Sequence, residues 1–371
     1  MNLNRRHTTL ACAVLALTGW ASQAQAQDAA RMGAVLSLTG SNATVGEDVR
    51  RAVMLAADKV NAQGGVMGRK FEVIIEDSGG NATTALNAAR KLATVDKVPV
   101  VIGEYSSGIT LPMAQYLVKE GVTHINIAST SVKVRDLGAT SFNLIGLENL
   151  GNKFSAADAW ALGYRKVAML APNNAYGQGV AHGFQEEFEK LGGKIVTELL
   201  YTQGQSTYRR ELQQMSRSEP DAYIYTAYGQ ESAVINREAF ELGLRQKPWY
   251  AILLSMSLSD TPPEIAKGQI GMEVGNVSGE AGKAYAEAFA AKYKEGMKTS
   301  YTGYAYDAVM MTAAAMNKAK STEAAAVQAA LKELGQGGYV GVTGPIVFDA
   351  DRQRVDPPYA KLKYDGKVVP R

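Results

Sequence analysis

Three kinds of chemistry are open to the polar residues of this chain, and each has a spacing that can be tested. A serine nucleophile needs Gly-x-Ser-x-Gly at a strand-to-helix turn. The run Gly103-Glu104-Tyr105-Ser106-Ser107-Gly108 lies at such a turn, but its spacing is wrong. A metal centre needs clustered imidazole, thiolate or carboxylate ligands. Three histidines (His7, His124 and His182), a single Cys12 and scattered acids do not supply one, so no metal is expected. A dinucleotide fingerprint needs G-x-G-x-x-G. Gly177, Gly179 and Gly183 have one residue too many between the last two, which reads as a turn and a helix start. With no set of nucleophile, base, metal or cofactor, the expectation is capture without catalysis. Ser107 and Gly108 precede a helical pattern, and the free N–H groups and positive dipole end of a helix start suit an anion. The plainer reading is that Ser107 caps that helix, and the two roles are compatible.

The elements that must position these residues alternate between short β-rich runs and helical stretches, the pattern of parallel sheets with crossover helices. Strands are expected at 33–38, 71–76, 98–103 and 123–127, with helices at 47–61, 83–95 and 109–120 between them. In the first helix Val49, Ala52, Val53, Ala56 and Val60 fall at three- and four-residue spacings, and Gly64-Gly65 ends it. After 142–145 the alternation restarts. Strands are expected at 167–170, 195–201, 222–227, 250–255 and 272–277, and helices at 151–162, 179–191, 208–217 and 232–242. Three long helical stretches, 279–294, 304–319 and 322–334, precede a short strand at 346–349. Two αβ units with no flexible linker between them make a hinged cleft.

The N-terminus reads as an address rather than as structure. Arg5 and Arg6 precede an apolar run from Leu10 to Leu17, and Ala24-Gln25-Ala26 offers a cleavage site, so residues 1–26 are expected to be a secretory signal. The run is too short to span a bilayer. Cys12 lies inside it, which argues against a lipid anchor, and the flanks of the arginine pair do not fit twin-arginine export. Cleavage removes two of 39 basic residues and none of 36 acids, so the formal charge falls from +3 to +1. A near-neutral chain gives no electrostatic reason to expect a nucleic-acid partner. It also lacks cysteine once cleaved, and must be held by its core alone.

Several polar turns then carry a family pattern. Leu36-Ser37-Leu38-Thr39-Gly40 with Gly46, Asn61-Ala62-Gln63-Gly64-Gly65, Val101-Ile102-Gly103 and Ala175-Tyr176-Gly177-Gln178-Gly179 occur in order across about 32–350. Together they resemble the periplasmic leucine/isoleucine/valine-binding protein family. The resemblance implies an α/β fold of the periplasmic-binding-protein type I class, two doubly wound lobes joined by three crossover strands. Its lobes would be 27–146 plus 275–350 and 147–274 plus 351–371. It implies a monomeric periplasmic protein that closes on a small carboxylate ligand and delivers it to an inner-membrane ABC permease. The default ligand is a branched-chain or related amino acid. The alternatives are an aromatic or keto acid, or an extracellular ligand-sensor role.

The resemblance also assigns residues. The ligand carboxylate would meet Ser107, the backbone at Ala128, and Thr130, with Ser129 as a neighbouring choice of register. Tyr176 and Tyr228 would close over it, with Tyr105 and Tyr225 as further aromatic candidates. The plain alternative is that these are packing tyrosines, four of 18 in the chain. One departure stands out. The family's amino-acid binders place an acid after the strand corresponding to 250–255, where it pairs with the ligand ammonium, whereas Leu253-Leu254-Ser255-Met256-Ser257 contains none. Either Glu104, Glu148 or Asp260 substitutes, with Ser255 a further polar candidate, or the ligand has no ammonium.

Overall fold

The computed structural model describes residues 29–275 and 277–371. The expected export signal lies outside the described residues. The first αβ series is β1 (Ala30–Leu36), α1 (Ala43–Ala62), β2 (Phe71–Asp77), α2 (Ala82–Thr94), β3 (Val100–Gly103), α3 (Ser107–Lys119), β4 (Thr123–Asn126) and β5 (Ser141–Asn143). These strands form one parallel sheet in the order β2-β1-β3-β4-β5. Val35 faces Gly103 and Val100 faces Thr123, so the carboxyl ends of β1 and β3 lie side by side.

The second series is α4 (Glu148–Ala161), β6 (Lys166–Pro172), α5 (Ala175–Lys190), β7 (Lys194–Tyr201), α6 (Arg209–Arg217), β8 (Ala222–Tyr225) and α7 (Gly229–Glu241). It continues with β9 (Trp249–Ile252), the short helices α8 (Leu254–Ser257) and α9 (Pro263–Ala266), and β10 (Ile270–Val274). The chain then returns to the first sheet as α10 (Gly279–Tyr293), α11 (Tyr301–Ala319) and α12 (Ala324–Gly337), with α11 packed along α1. A small hairpin follows, β11 (Tyr339–Gly341) and β12 (Gly344–Ile346), before β13 (Tyr359–Tyr364) and β14 (Val368–Pro370) close the second sheet. That sheet runs β14-β13-β10-β9-β8-β6-β7, parallel from β10 to β7 and antiparallel at β13 and β14. The chain therefore passes between the sheets three times, through 144–147, between Val274 and Gly279, and through 347–358. These are the three crossings of the type I fold.

Local sequence accounts for these elements. The inner strands β3, β4, β8 and β9 are buried at every position and are rich in Val, Ile and Tyr, as strands covered on both faces must be. Helix α1 buries Val49, Ala52, Val53, Ala56 and Val60, the stripe that its spacing predicts. Asn81 and Asn174 cap α2 and α5 by accepting two backbone N–H groups each. The main differences from expectation are at helix starts. Helices α3, α4, α5 and α11 begin two to four residues earlier than their apolar periodicity predicts. Among the extra residues are Ser107, Glu148, Tyr176 and Tyr301, which line the space between the sheets, where amphipathic spacing carries no signal.

Candidate functional site

The carboxyl ends of the parallel strands in both sheets face one another, and the site lies between them, where open α/β sheets place ligands. From the first sheet come Tyr105 and Ser107 after β3, and Ala128 and Thr130 after β4. From the second come Tyr176 after β6, Tyr228 after β8, and Leu253 and Met256 after β9. Tyr301, the first residue of α11, completes the wall. These residues surround a narrow gap between the strand ends of the two sheets. Ser107, Ala128, Thr130, Tyr176, Tyr228 and Tyr105 thus stand around one cavity.

The anion-binding side is built from helix geometry. Ser106, not Ser107, holds the N-cap position of α3, and no side chain caps that end. Ile109 N donates back to Ser106 O at 2.9 Å, which leaves the N–H groups of Ser107 and Gly108 for a ligand. Ser107 is buried, and its Oγ accepts a hydrogen bond from Ser131 N at 3.3 Å, which ties the turn after β3 to the turn after β4. Ser129 turns inward, with its Oγ 2.5 Å from Thr110 Oγ1, so it does not line the cavity, whereas Thr130 does. Ala128 N donates to Asn126 Oδ1 at 3.3 Å, a long bond that anchors this turn.

The aromatic side is a continuous chain of rings. Tyr301 meets Tyr105 at 5.4 Å and Tyr105 meets Tyr228 at 5.5 Å, both edge to face, and Tyr228 meets Tyr176 at 5.7 Å. Such pairs add roughly 0.5–1.5 kcal/mol beyond their buried area. Tyr176 is aimed by the Asn174 cap, and its hydroxyl lies 2.8 Å from Thr226 Oγ1. Burial pushes the Tyr176 and Tyr228 phenols above their ordinary range, so both are neutral donors. Tyr105 Oη has no hydrogen-bond partner among the described residues.

Where an ammonium partner is expected, the wall is apolar. Leu253 sits at φ 62°, an uncommon conformation for a non-glycine residue, and it and Met256 both line the cavity. The acids are committed elsewhere. Glu104 is fully buried beneath the site, where it accepts from Ser37, from Ser78 Oγ at 2.7 Å and from Ser106 N at 2.9 Å. Burial raises its pKa. Asp260 accepts from Thr44 Oγ1 at 2.7 Å, on the far side of α8. Ser255 lies outside the wall, with its N–H donating to Glu273 at 2.7 Å. Tyr225 is a core residue whose hydroxyl joins Asn236, Gln269 and Ser257. Glu148 lines a neighbouring cavity rather than this one.

Sequence reasoning missed Tyr301 and Glu273. Tyr301 precedes the apolar repeat of α11, and its hydroxyl reaches Met256 Sδ at 3.8 Å. Glu273 sits in an otherwise apolar strand, and an acid alternating into a buried run was the available signal. It is fully buried, its pKa is raised by burial, and it accepts from the backbone of Ser255 and Val274.

Strand ends of two sheets that together line one gap are where open α/β sheets take up ligands. The family model for periplasmic binding proteins matches residues 29–367. The chain belongs to the periplasmic binding protein family. It is a substrate-binding protein, not an enzyme. Among curated relatives, an amino acid binding protein of Pseudomonas aeruginosa is 27% identical over 329 residues, covering 86% of each chain. Among solved structures, a leucine binding protein of Thermotoga maritima superposes with a TM-score of 0.84 at 21% identity, covering 92% of this chain and 97% of that one. A solute-binding protein of R. palustris, solved in complex with benzoate, superposes with a TM-score of 0.82 at 19% identity, covering 92% and 95%. These likenesses confirm the type I fold expected from the polar turns. No helix among the described residues is long and apolar enough to cross a membrane.

Proposed function

We propose that this protein is the periplasmic binding component of an ABC importer and that its ligand is a small carboxylate without an ammonium, with aromatic acids the best fit. One observation carries the choice of ligand. Opposite the start of α3 the cavity presents Leu253 and Met256 among four tyrosines, and no acid lines it. An ammonium buried there unpaired would lose several kcal/mol, whereas an aromatic ring packs against tyrosine edges and methionine sulfur. Ser107, Ala128 and Thr130 would hold the carboxylate, and Tyr176 and Tyr228 would close over the rest. The benzoate complex of the R. palustris relative shows that the same fold accommodates such a ligand.

In this reading 27–146 plus 275–350 form the anion-binding lobe and 147–274 plus 351–371 the closing lobe. The mature monomer begins near Gln27, as N-terminal sequencing of exported protein would show. A branched-chain amino acid is the second reading, favoured by the amino acid binding protein of P. aeruginosa together with the leucine binding protein of T. maritima. Calorimetry with benzoate, phenylacetate, leucine, the keto acid of leucine and the corresponding amides separates the two. Acids without an ammonium should bind, and amides should not. Binding restricted to ammonium-bearing compounds would establish the amino-acid reading instead.

A further inference from the structure

A second small cavity adjoins the first and shares Thr130, Tyr176 and Leu253 with it. It lies where the chain crosses between the sheets, since Leu147 from the first crossing and Val274 and Tyr359, which flank the other two, contribute to its wall. Apart from Thr130 and the Tyr176 and Tyr359 hydroxyls, its polar side chains are Glu148 and Asn152, one turn apart on α4. Both are more than nine-tenths buried, at 5% and 2% exposure. Asn152 Oδ1 has no hydrogen-bond partner among the described residues, and Glu148 Oε2 makes no bond of good geometry, although the Ser131 hydroxyl also faces this carboxyl. Their other atoms are fixed, Glu148 Oε1 by Val132 N at 3.1 Å and Asn152 Nδ2 by Gly179 O at 3.1 Å.

The glycine run that failed as a dinucleotide fingerprint explains how these groups fit. A Cβ at Gly179 would collide with the Glu148 carboxyl, and one at Gly183 with the Asn152 amide. Helix α5 therefore presents two glycines, four residues apart, to two polar residues, four apart, on α4. A buried polar pair left half-satisfied is costly, and leaving it so without a partner is unusual in a native fold.

We propose that this cavity is a subsite for a second, uncharged hydrogen-bonding group on the ligand, a hydroxyl, held between Glu148 Oε2 and Asn152 Oδ1. A hydroxyl both donates and accepts, so it can satisfy Asn152 and a protonated Glu148 together. A cationic group fits less well. It would need an ionised Glu148 in a wall that holds no cationic side chain and much apolar surface, from Leu147, Val180, Ile252, Met272 and Val274. That charge would also lie beside the carboxylate anchor, because Glu148 N donates to Thr130 O at 2.6 Å. Desolvation already drives Glu148 towards its neutral form, with a pKa of about 8. The proposal rests on the carboxylate reading above and extends it to hydroxy acids.

The test compares benzoate with its 2-, 3- and 4-hydroxy derivatives, and phenylacetate with mandelate, by calorimetry on the full mature protein. At least one hydroxylated acid should bind tenfold or more tightly than its parent. Glu148→Met should bring that ratio near one, and Glu148→Gln, which can still donate and accept, should keep most of it. Melting curves of both variants check that they fold, and Asn152→Leu supplies an independent arm should Glu148→Met fail. A ratio near one in the unaltered protein, or one that survives both Glu148→Met and Asn152→Leu, overturns the subsite but leaves the carboxylate reading intact. Failure of every parent acid to bind would sink both.

Discussion

At the scale of single residues, the anchor and the ligand body make separable predictions. Hydrogen bonds to a charged group contribute about 1.5–3 kcal/mol each. Ser107→Ala and Thr130→Ala should therefore weaken every acid that binds by roughly that much, as measured by calorimetry. Tyr228→Ala should instead cost an amount that varies with the shape of the ligand, because its ring packs between Tyr105 and Tyr176. Glu148 also has a pH signature. Burial raises its folded pKa from 4.5 to about 8, so between those values the folded protein holds a proton that the unfolded chain releases. Stability from this group accordingly falls as pH rises from about 4.5 through 8. Glu148→Gln removes that dependence. In urea unfolding, its stability relative to the unaltered protein should improve by on the order of a few kcal/mol between pH 5 and pH 8.5. His124 has the opposite sign. Its ring is buried and neutral, with a pKa lowered to about 4, so stability is lost as pH falls from about 6.5 to 4.

At the scale of elements, the interface between α4 and α5 is the most exacting contact near the site. Alanine normally stabilises a helix relative to glycine by about 0.5–1 kcal/mol. At Gly179 and Gly183 the added methyl meets Glu148 and Asn152, so each substitution should destabilise by about 1–3 kcal/mol. Denaturant midpoints would check the sign, and an unchanged or raised stability would show that α4 yields. These helices also show what sequence could and could not reveal. The strand–helix alternation was legible because β-branched runs and the apolar stripe of α1 are local signals. The edge strands β13 and β14 were not, since Tyr359–Tyr364 alternates weakly and pairs with β10, far away in sequence. Within the site, Ser107, Thr130, Tyr176 and Tyr228 follow strands and stood out in the family pattern. Tyr301 enters from α11, which returns to the first sheet after the second is built, and no local spacing reports that return.

For the whole molecule, polar contacts join the two halves across the mouth of the cleft. Thr44 on α1 reaches Asp260 beyond α8 at 2.7 Å, and Gln230 N on α7 donates to Ser41 O at 3.2 Å. Neither residue of the Thr44–Asp260 pair touches the ligand cavity. Its only route to affinity is the balance between open and closed forms, because a ligand that binds the closed form selects it. Removing a part-buried hydrogen bond to a carboxylate costs about 1–3 kcal/mol in the closed form, and the open form makes no such bond. Where the free protein is mostly open, that difference passes fully into the apparent affinity; where it is mostly closed, only part does. Asp260→Ala should thus weaken all ligands by one common factor, between twofold and about a hundredfold. X-ray scattering should show an unliganded variant at least as extended as the parent protein, and ligand should still compact both. A loss that differs from one ligand to the next would place Asp260 in contact with ligand rather than at the latch. Unchanged affinity, with scattering that shows an open unliganded state, would mean that the Thr44–Asp260 bond does not hold the cleft shut.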